Sequence, residues 1–267
     1  MMWAPDRIDV NGASLEVASF GPPPAEAPTI VLLHEGLGCV ALWRDFPEKL
    51  AHATGFGVLC YSRHGHGRSD PRPVPRPLDY QSHEPVGAVL DACGVSDCVL
   101  LGHSDGATMA AVYAGSVSDM RVRGLVLIAP HFFTERMGLD AIRDAVTAYE
   151  NGDLRAKLAQ YHDDPDGVFG GWSGVWLHPD FARWDVSDAI DHWRVPCLGL
   201  QGTDDAYGTL AQLDEIEGRI YSPFERVVLD SVGHTPHLEA SDQTIAAVTV
   251  FCKTLHALEQ AMVDPSF

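Results

Sequence analysis

Short apolar runs alternate with stretches rich in helix formers along this 267-residue chain. The runs at residues 15–20, 29–33, 57–61, 98–101, 124–129, 197–201 and 226–229 read as strands. The last five or six are nearly continuous apolar segments, the pattern of strands covered on both faces. Helices are expected near residues 40–53, 84–93, 107–116, 210–218 and 243–260. Such alternation predicts a mostly parallel sheet with helices on both faces. The start differs: Asn11-Gly12 separates Ile8-Asp9-Val10 from Ser14-Leu15, a hairpin signal that makes the first pairing antiparallel.

The rhythm breaks between residues 131 and 194, where no clear strand is found. This span holds Trp172, Trp176, Trp184 and Trp193, four of the six tryptophans, with Phe132, Phe133, Phe169 and Phe181. It reads as a helical insertion, a cap over a core made of residues 1–130 and 195–267. Aromatic residues there would exclude water and line an apolar pocket, and Phe132, Phe133, Trp172 and Trp176 are the candidates. The Pro-rich stretch 71–77 reads as an extended connector.

Composition narrows the partners. The chain has 18 basic and 37 acidic residues, a formal charge of −19, which would repel nucleic acid and anionic membrane surfaces. No run approaches the roughly 20 apolar residues of a membrane span, and the N-terminus lacks an apolar signal region. Six cysteines without a C-x-x-C pair read as buried free thiols in a reducing compartment. These features predict a cytoplasmic protein with a small-molecule substrate and no membrane or nucleic-acid partner; a homodimer is the candidate assembly.

The candidate chemistry centres on Gly102-His103-Ser104-Asp105-Gly106, placed after an apolar strand and before a helix-forming stretch. A sharp turn there would strain the serine backbone and lift its Oγ clear of the sheet. The flanking glycines would avoid collision with the neighbouring strand and helix. A serine hydroxyl needs a base, and the base an orienting acid. His234 is the base candidate, directly after the last strand, at the edge where parallel sheets place their sites; His237 is its nearest rival. Gly202-Thr203-Asp204-Asp205 supplies the acid, Asp205 before Asp204. The backbone N–H groups of Asp105 and Gly36 are the candidate oxyanion donors, with Glu35 and Leu37 beside them in the pocket. His64-x-His66 and His234-x-x-His237 have ligand-like spacing, but no third ligand type accompanies them, so neither metal nor cofactor is expected.

With these stations in place, the chain resembles α/β-hydrolase fold serine hydrolases along nearly its whole length. The resemblance rests on His34-Glu35-Gly36-Leu37-Gly38, Arg63-His64-Gly65-His66-Gly67-Arg68-Ser69, the serine turn, Gly202-x-x-Asp205, and Gly233-His234 with Pro236. It implies an eight-stranded, mostly parallel sheet with a helical cap between strands six and seven. It also implies oxyanion donors, nucleophile, acid and base in this chain order. Residues 35–38 are similar to the Asp-Gly-Leu-Gly loop of a lactonase branch, a hint towards ring esters. Asp105 departs from the small or apolar residue common after the nucleophile; with Glu35 it would disfavour anionic substrates or pair a cationic group, unless it points back into the helix start. The leading expectation is therefore a cofactor-free hydrolase of a carboxylic ester or lactone. Alternatives are a C–C hydrolase of ring-cleavage diketones, with Arg136, Arg143, Arg155 or Arg183 holding a substrate carboxylate, a cofactor-free oxygenase, and a small-ligand receptor. Serine at position 104 argues against the dehalogenase and epoxide hydrolase branches, whose nucleophile is an aspartate.

Overall fold

The computed structural model describes residues 2–72 and 78–263. The connector expected at 71–77 therefore lies, past Arg72, outside the described residues. Strands β1 (Arg7–Val10) and β2 (Ala13–Phe20) form the antiparallel hairpin that Asn11-Gly12 predicts, both turn residues having positive φ, 55° and 83°. Then follow β3 (Thr29–Leu33), α1 (Phe46–Thr54), β4 (Gly57–Tyr61), α2 (Val86–Ala92), β5 (Cys98–His103), α3 (Asp105–Ser116) and β6 (Val122–Ile128). Three helices come next, α4 (Arg136–Asn151), α5 (Leu154–Leu158) and α6 (Pro165–Trp176). The chain closes with β7 (Cys197–Gly202), α7 (Ala211–Arg219), β8 (Phe224–Leu229), α8 (Pro236–Glu239) and α9 (Ser241–Val263).

One eight-stranded sheet results, in the order β1-β2-β4-β3-β5-β6-β7-β8, with every pairing from β4 onward parallel. The two-residue period of a strand distributes its side chains between two cores. In β3, Val31 and Leu33 join the apolar cluster under α2 and α3, while Ile30 and Leu32 join the one under α1 and α9. Every residue of β3, β4, β5 and β7 is buried, as their unbroken apolar runs predict. Strand β8 departs from that expectation: it is the sheet edge and half-buried, and its Arg226 pairs with Asp214 at 2.6 Å and Glu217 at 3.0 Å of α7. The helix expected over 40–53 is also broken. A 3-10 turn, Val40–Trp43, ends at Arg44, whose φ of 53° stops helix propagation before α1 starts with Pro47 in its first turn.

Between β6 and β7 the chain is helical, adding the 3-10 turns Pro179–Arg183 and Ser187–His192 to α4, α5 and α6. This insertion has no core of its own. Ile142, Phe169, Trp172, Trp176, Phe181 and Trp193 belong to the same apolar cluster as Val31, Leu59 and Leu100 of the sheet. Its aromatics also pack on one another, Tyr149 stacking on Phe169 at 3.9 Å and Trp184 on Phe181 at 4.9 Å. All six cysteines are free, and burial pushes the Cys39 and Cys60 thiols up to about 11 and 12, away from nucleophilic use. No helix among the described residues is long and apolar enough to cross a membrane.

Candidate active site

The carboxyl ends of β3, β5, β7 and β8 deliver four loops to one place. After β5 the chain turns sharply at Ser104, which takes φ 53° and ψ −119°, a conformation rare for a residue with a side chain. The turn is that tight because nothing else fits: a Cβ on Gly106 would collide with the carbonyl oxygen of Leu33, and one on Gly102 with the backbone of Gly106 and Ala107. Helix α3 starts immediately, so the Asp105 amide is an N-terminal donor without an acceptor in the helix. It finds none elsewhere among the described residues.

His234, in the loop after β8, places Nδ1 2.9 and 2.8 Å from the two carboxylate oxygens of Asp205. Asp205 is buried, whereas Asp204 is exposed, which separates the two acid candidates. Asp205 also accepts from Gln201 Nε2 at 2.7 Å and from the Tyr207 amide at 2.8 Å. Burial raises its pKa, but the hydrogen bond and charge of His234 and the Tyr207 amide outweigh that and hold it below the ordinary value. An ionised Asp205 fixes His234 as the tautomer with its proton on Nδ1, leaving Nε2 as the acceptor.

Three more histidines surround His234. His103 donates from Nε2 to the His234 carbonyl at 2.7 Å, tying the β8 loop to β5. His237, the rival base, makes no contact with Asp205; it is buried between Trp43, at 4.9 Å, and His103, at 4.6 Å. His131, which sequence reasoning missed, lies 5.7 Å from His234 and 5.4 Å from Trp176, ring to ring. Desolvation, with the neighbouring His234 charge adding to it, lowers His131 to about 4 and His237 to about 3, so both are neutral near neutral pH.

The loop after β3 is held through its carbonyls. Glu35 O accepts from Arg63 Nη2 at 2.7 Å and lies 2.8 Å from His34 Nδ1; Gly36 O lies 3.2 Å from His66 Nε2; Leu37 O lies 2.9 Å from His162 Nε2. The Arg63–Ser69 motif thus braces the loop from the sheet side and His162 from the insertion. The Leu37 amide donates to the Glu35 carboxylate, and the Gly36 amide has no acceptor among the described residues. Burial pushes the Glu35 carboxyl above its ordinary range; the Leu37 amide, Arg63 and His234 pull it back, and Asp105 adds to the rise.

Ser104 and His234 line one cavity of about 230 Å³. Glu35, Gly36, Leu37, Trp172 and Trp176 wall it, together with Ile142, Gly138, Tyr207 and His131. Two expected wall residues lie elsewhere. Phe132 is fully buried, its ring 6.0 Å from Trp193 and its amide bonded to Gln212 Oε1 at 2.7 Å. Phe133 bridges to Asp185 and accepts from Gln212 Nε2 at 3.1 Å. The chain leaving β6 thus places His131 on the cavity and turns the phenylalanines into packing. The Asp105 side chain does not line the cavity either: its carboxylate accepts from the Tyr80 hydroxyl and, at 3.3 Å, from Trp176 Nε1. Among the described residues no group of three or more His, Cys, Asp or Glu is arranged to hold a metal ion.

A family model described as the alpha/beta hydrolase fold matches residues 28–148, from β3 through the serine turn into α4. This chain has the alpha/beta hydrolase fold. The matched segment includes the Glu35–Leu37 loop and Ser104; Asp205 and His234 lie beyond it. Epoxide hydrolase 2 of Siraitia grosvenorii is 32% identical over 128 residues, 47% of this chain and 38% of that protein, so the chain spans well under half of that relative. A bifunctional esterase/perhydrolase of Acinetobacter calcoaceticus is 26% identical over 224 residues, 73% of this chain and 80% of its own. Among solved structures, the enol-lactonase from Burkholderia xenovorans superposes with a TM-score of 0.71 at 22% identity, covering 92% of this chain and 99% of that one. That last likeness is one of fold.

Proposed function

We propose that this α/β-hydrolase chain is a serine hydrolase that cleaves a carboxylic ester or lactone of a small, largely apolar substrate through an acyl-enzyme. One observation carries the reading: a serine strained into positive φ shares a cavity with a histidine whose other nitrogen is held by a buried carboxylate. Ser104 Oγ attacks the carbonyl carbon as His234 Nε2 takes its proton. Asp205 stabilises the imidazolium. The carbonyl oxygen, now an oxyanion, is met by the Gly36 and Asp105 amides, which have no other acceptor. His234 then protonates the leaving oxygen, the acyl-enzyme forms, and a water deprotonated by His234 releases the acid and frees Ser104.

The walls favour a neutral or cationic substrate over an anionic one. The cavity carries Glu35 and, among its lining residues, no lysine or arginine. The arginines considered for a substrate carboxylate are engaged elsewhere or exposed: Arg136 and Arg143 at Asp140, Arg155 at Asp166, and Arg183 at the surface. This disfavours the C–C hydrolase alternative, whose substrates carry a carboxylate. The test is a fluorophosphonate probe followed by a turnover panel of p-nitrophenyl esters, lactones and ring-cleavage diketones. Covalent labelling at Ser104 with ester or lactone turnover is expected. Near-normal turnover by Ser104→Ala, or tight ligand binding without turnover, would overturn the reading.

A further inference from the structure

Asp105 is almost fully buried, 1% exposed, although its side chain takes no part in the chemistry proposed above. Both its oxygens are engaged from outside its own helix. Tyr80, in the 3-10 turn Tyr80–His83, donates to Oδ2, and Trp176, the last residue of α6, donates to Oδ1. One turn earlier on the same helix stands Trp172, a spacing that places the two indoles on one face. Trp172 covers Gly36 so closely that a Cβ there would collide with its indole, and the same Cβ would lie 2.9 Å from Asp105 Oδ2. A single helix of the insertion therefore touches both residues whose amides await an acceptor.

We propose that Asp105 is a positioning residue that docks α6 and, through it, sets the spacing of the two oxyanion donors. This rests on the hydrolase reading. Its backbone amide is one donor; its carboxylate anchors Trp176; Trp172 of the same helix presses the Gly36 amide into place. The oxyanion hole is complete only while α6 is seated. A residue without acceptor oxygens at position 105 would leave the Trp176 N–H buried and unpaired, a penalty that loosens the seat. This also assigns a structural purpose to a carboxylate beside the nucleophile: it binds the insertion, not the substrate.

The experiment compares Asp105→Ala, Asp105→Asn, Trp176→Phe and the Asp105→Ala/Trp176→Phe double variant on p-nitrophenyl acetate, with hydrogen–deuterium exchange of residues 35–37 in each. Asp105→Ala should lower kcat roughly 10²-fold, short of removing a donor outright, with KM changed less than about threefold. Asp105→Asn, which keeps one acceptor oxygen for the Trp176 N–H and offers an NH2 to the Tyr80 hydroxyl, should recover most of that loss. Trp176→Phe should cost roughly tenfold, and the double variant no more than Asp105→Ala alone, because Asp105→Ala already removes the Trp176 contact along with that of Tyr80. Exchange at 35–37 should rise in step. A folded Asp105→Ala with kcat within twofold of the parent, additive losses, or unchanged exchange at 35–37 would overturn the proposal. If Asp105→Ala does not fold, Trp176→Phe and Tyr80→Phe, which delete only the donors, decide it. Absence of ester turnover in the parent would count against the hydrolase reading, while exchange would still decide the docking.

Discussion

The sheet and the helical insertion contribute to the site in different ways. The sheet supplies backbone geometry: β5 leads into the strained Ser104, β7 into the loop of Asp205, β8 into the loop of His234, and β3 into the loop of Gly36. These positions follow from strand register, which the two apolar clusters fix on both faces. The insertion contributes mainly through side chains: Trp172 over Gly36, Trp176 on Asp105, His162 on Leu37 O. A framework set by main-chain hydrogen bonding tolerates little change, whereas contacts made by side chains can be retuned one at a time. On the proposed mechanism the chemistry is thus located on the rigid part, and substrate choice and donor alignment on the adjustable part.

That division can be broken experimentally. On the framework side, Ser104→Ala should lower kcat by about 10⁴- to 10⁶-fold with the fold intact, read by turnover and circular dichroism. Asp205→Asn should cost roughly 10³- to 10⁴-fold, while Asp204→Asn, at an exposed carboxylate, should stay within about twofold; equal losses would undo the assignment of the acid. On the insertion side, Trp172→Ala should remove about 3 kcal/mol of stability in denaturant titration and widen the range of accepted acyl groups rather than abolish turnover.

Acid should separate the two regions as well. Burial depresses His131, at the junction of β6 and the insertion, from its ordinary 6.5 to about 4. The unfolded chain takes up that proton first, so the stability His131 contributes is whole above about pH 6.5. It is lost as pH falls towards 4, on the order of 3 kcal/mol in all. Thermal melts from pH 7 to 4 should show this slope, and His131→Asn should reduce it while the buried His237 keeps the remainder. At the small end, Arg155→Ala breaks an ion pair exposed on both sides and should leave the melting temperature unchanged.

The same division explains how much could be read from the chain. The strands, the hairpin turn and the serine turn are local patterns, so Asn11-Gly12 and Gly102–Gly106 announce their geometry unaided. Asp205 and His234 follow from strand ends. What escaped notice is held by distant partners: Asp105 meets Tyr80 and Trp176, 25 and 71 residues away, and no local pattern shows that pairing. Aromatic content alone does not reveal that Phe132 and Phe133 face the core, whereas His131, one residue earlier and just past the end of β6, carries the same strand-end signal as His234. The break at Arg44 carries only the weak cue of Pro47 three residues on.

The backbone of Ser104 has a consequence for how the protein changes over generations. Holding a non-glycine residue at φ 53° costs roughly 1–3 kcal/mol, a burden removed by glycine, which adopts that conformation freely. Ser104→Gly would therefore melt at or above the parent temperature while losing its reaction. At this one position, selection for a sturdier molecule and selection for a working one pull in opposite directions. A lineage released from the need for catalysis would have a physical incentive to discard the serine early, so a retained serine at this strained position is what the proposed hydrolase reading expects.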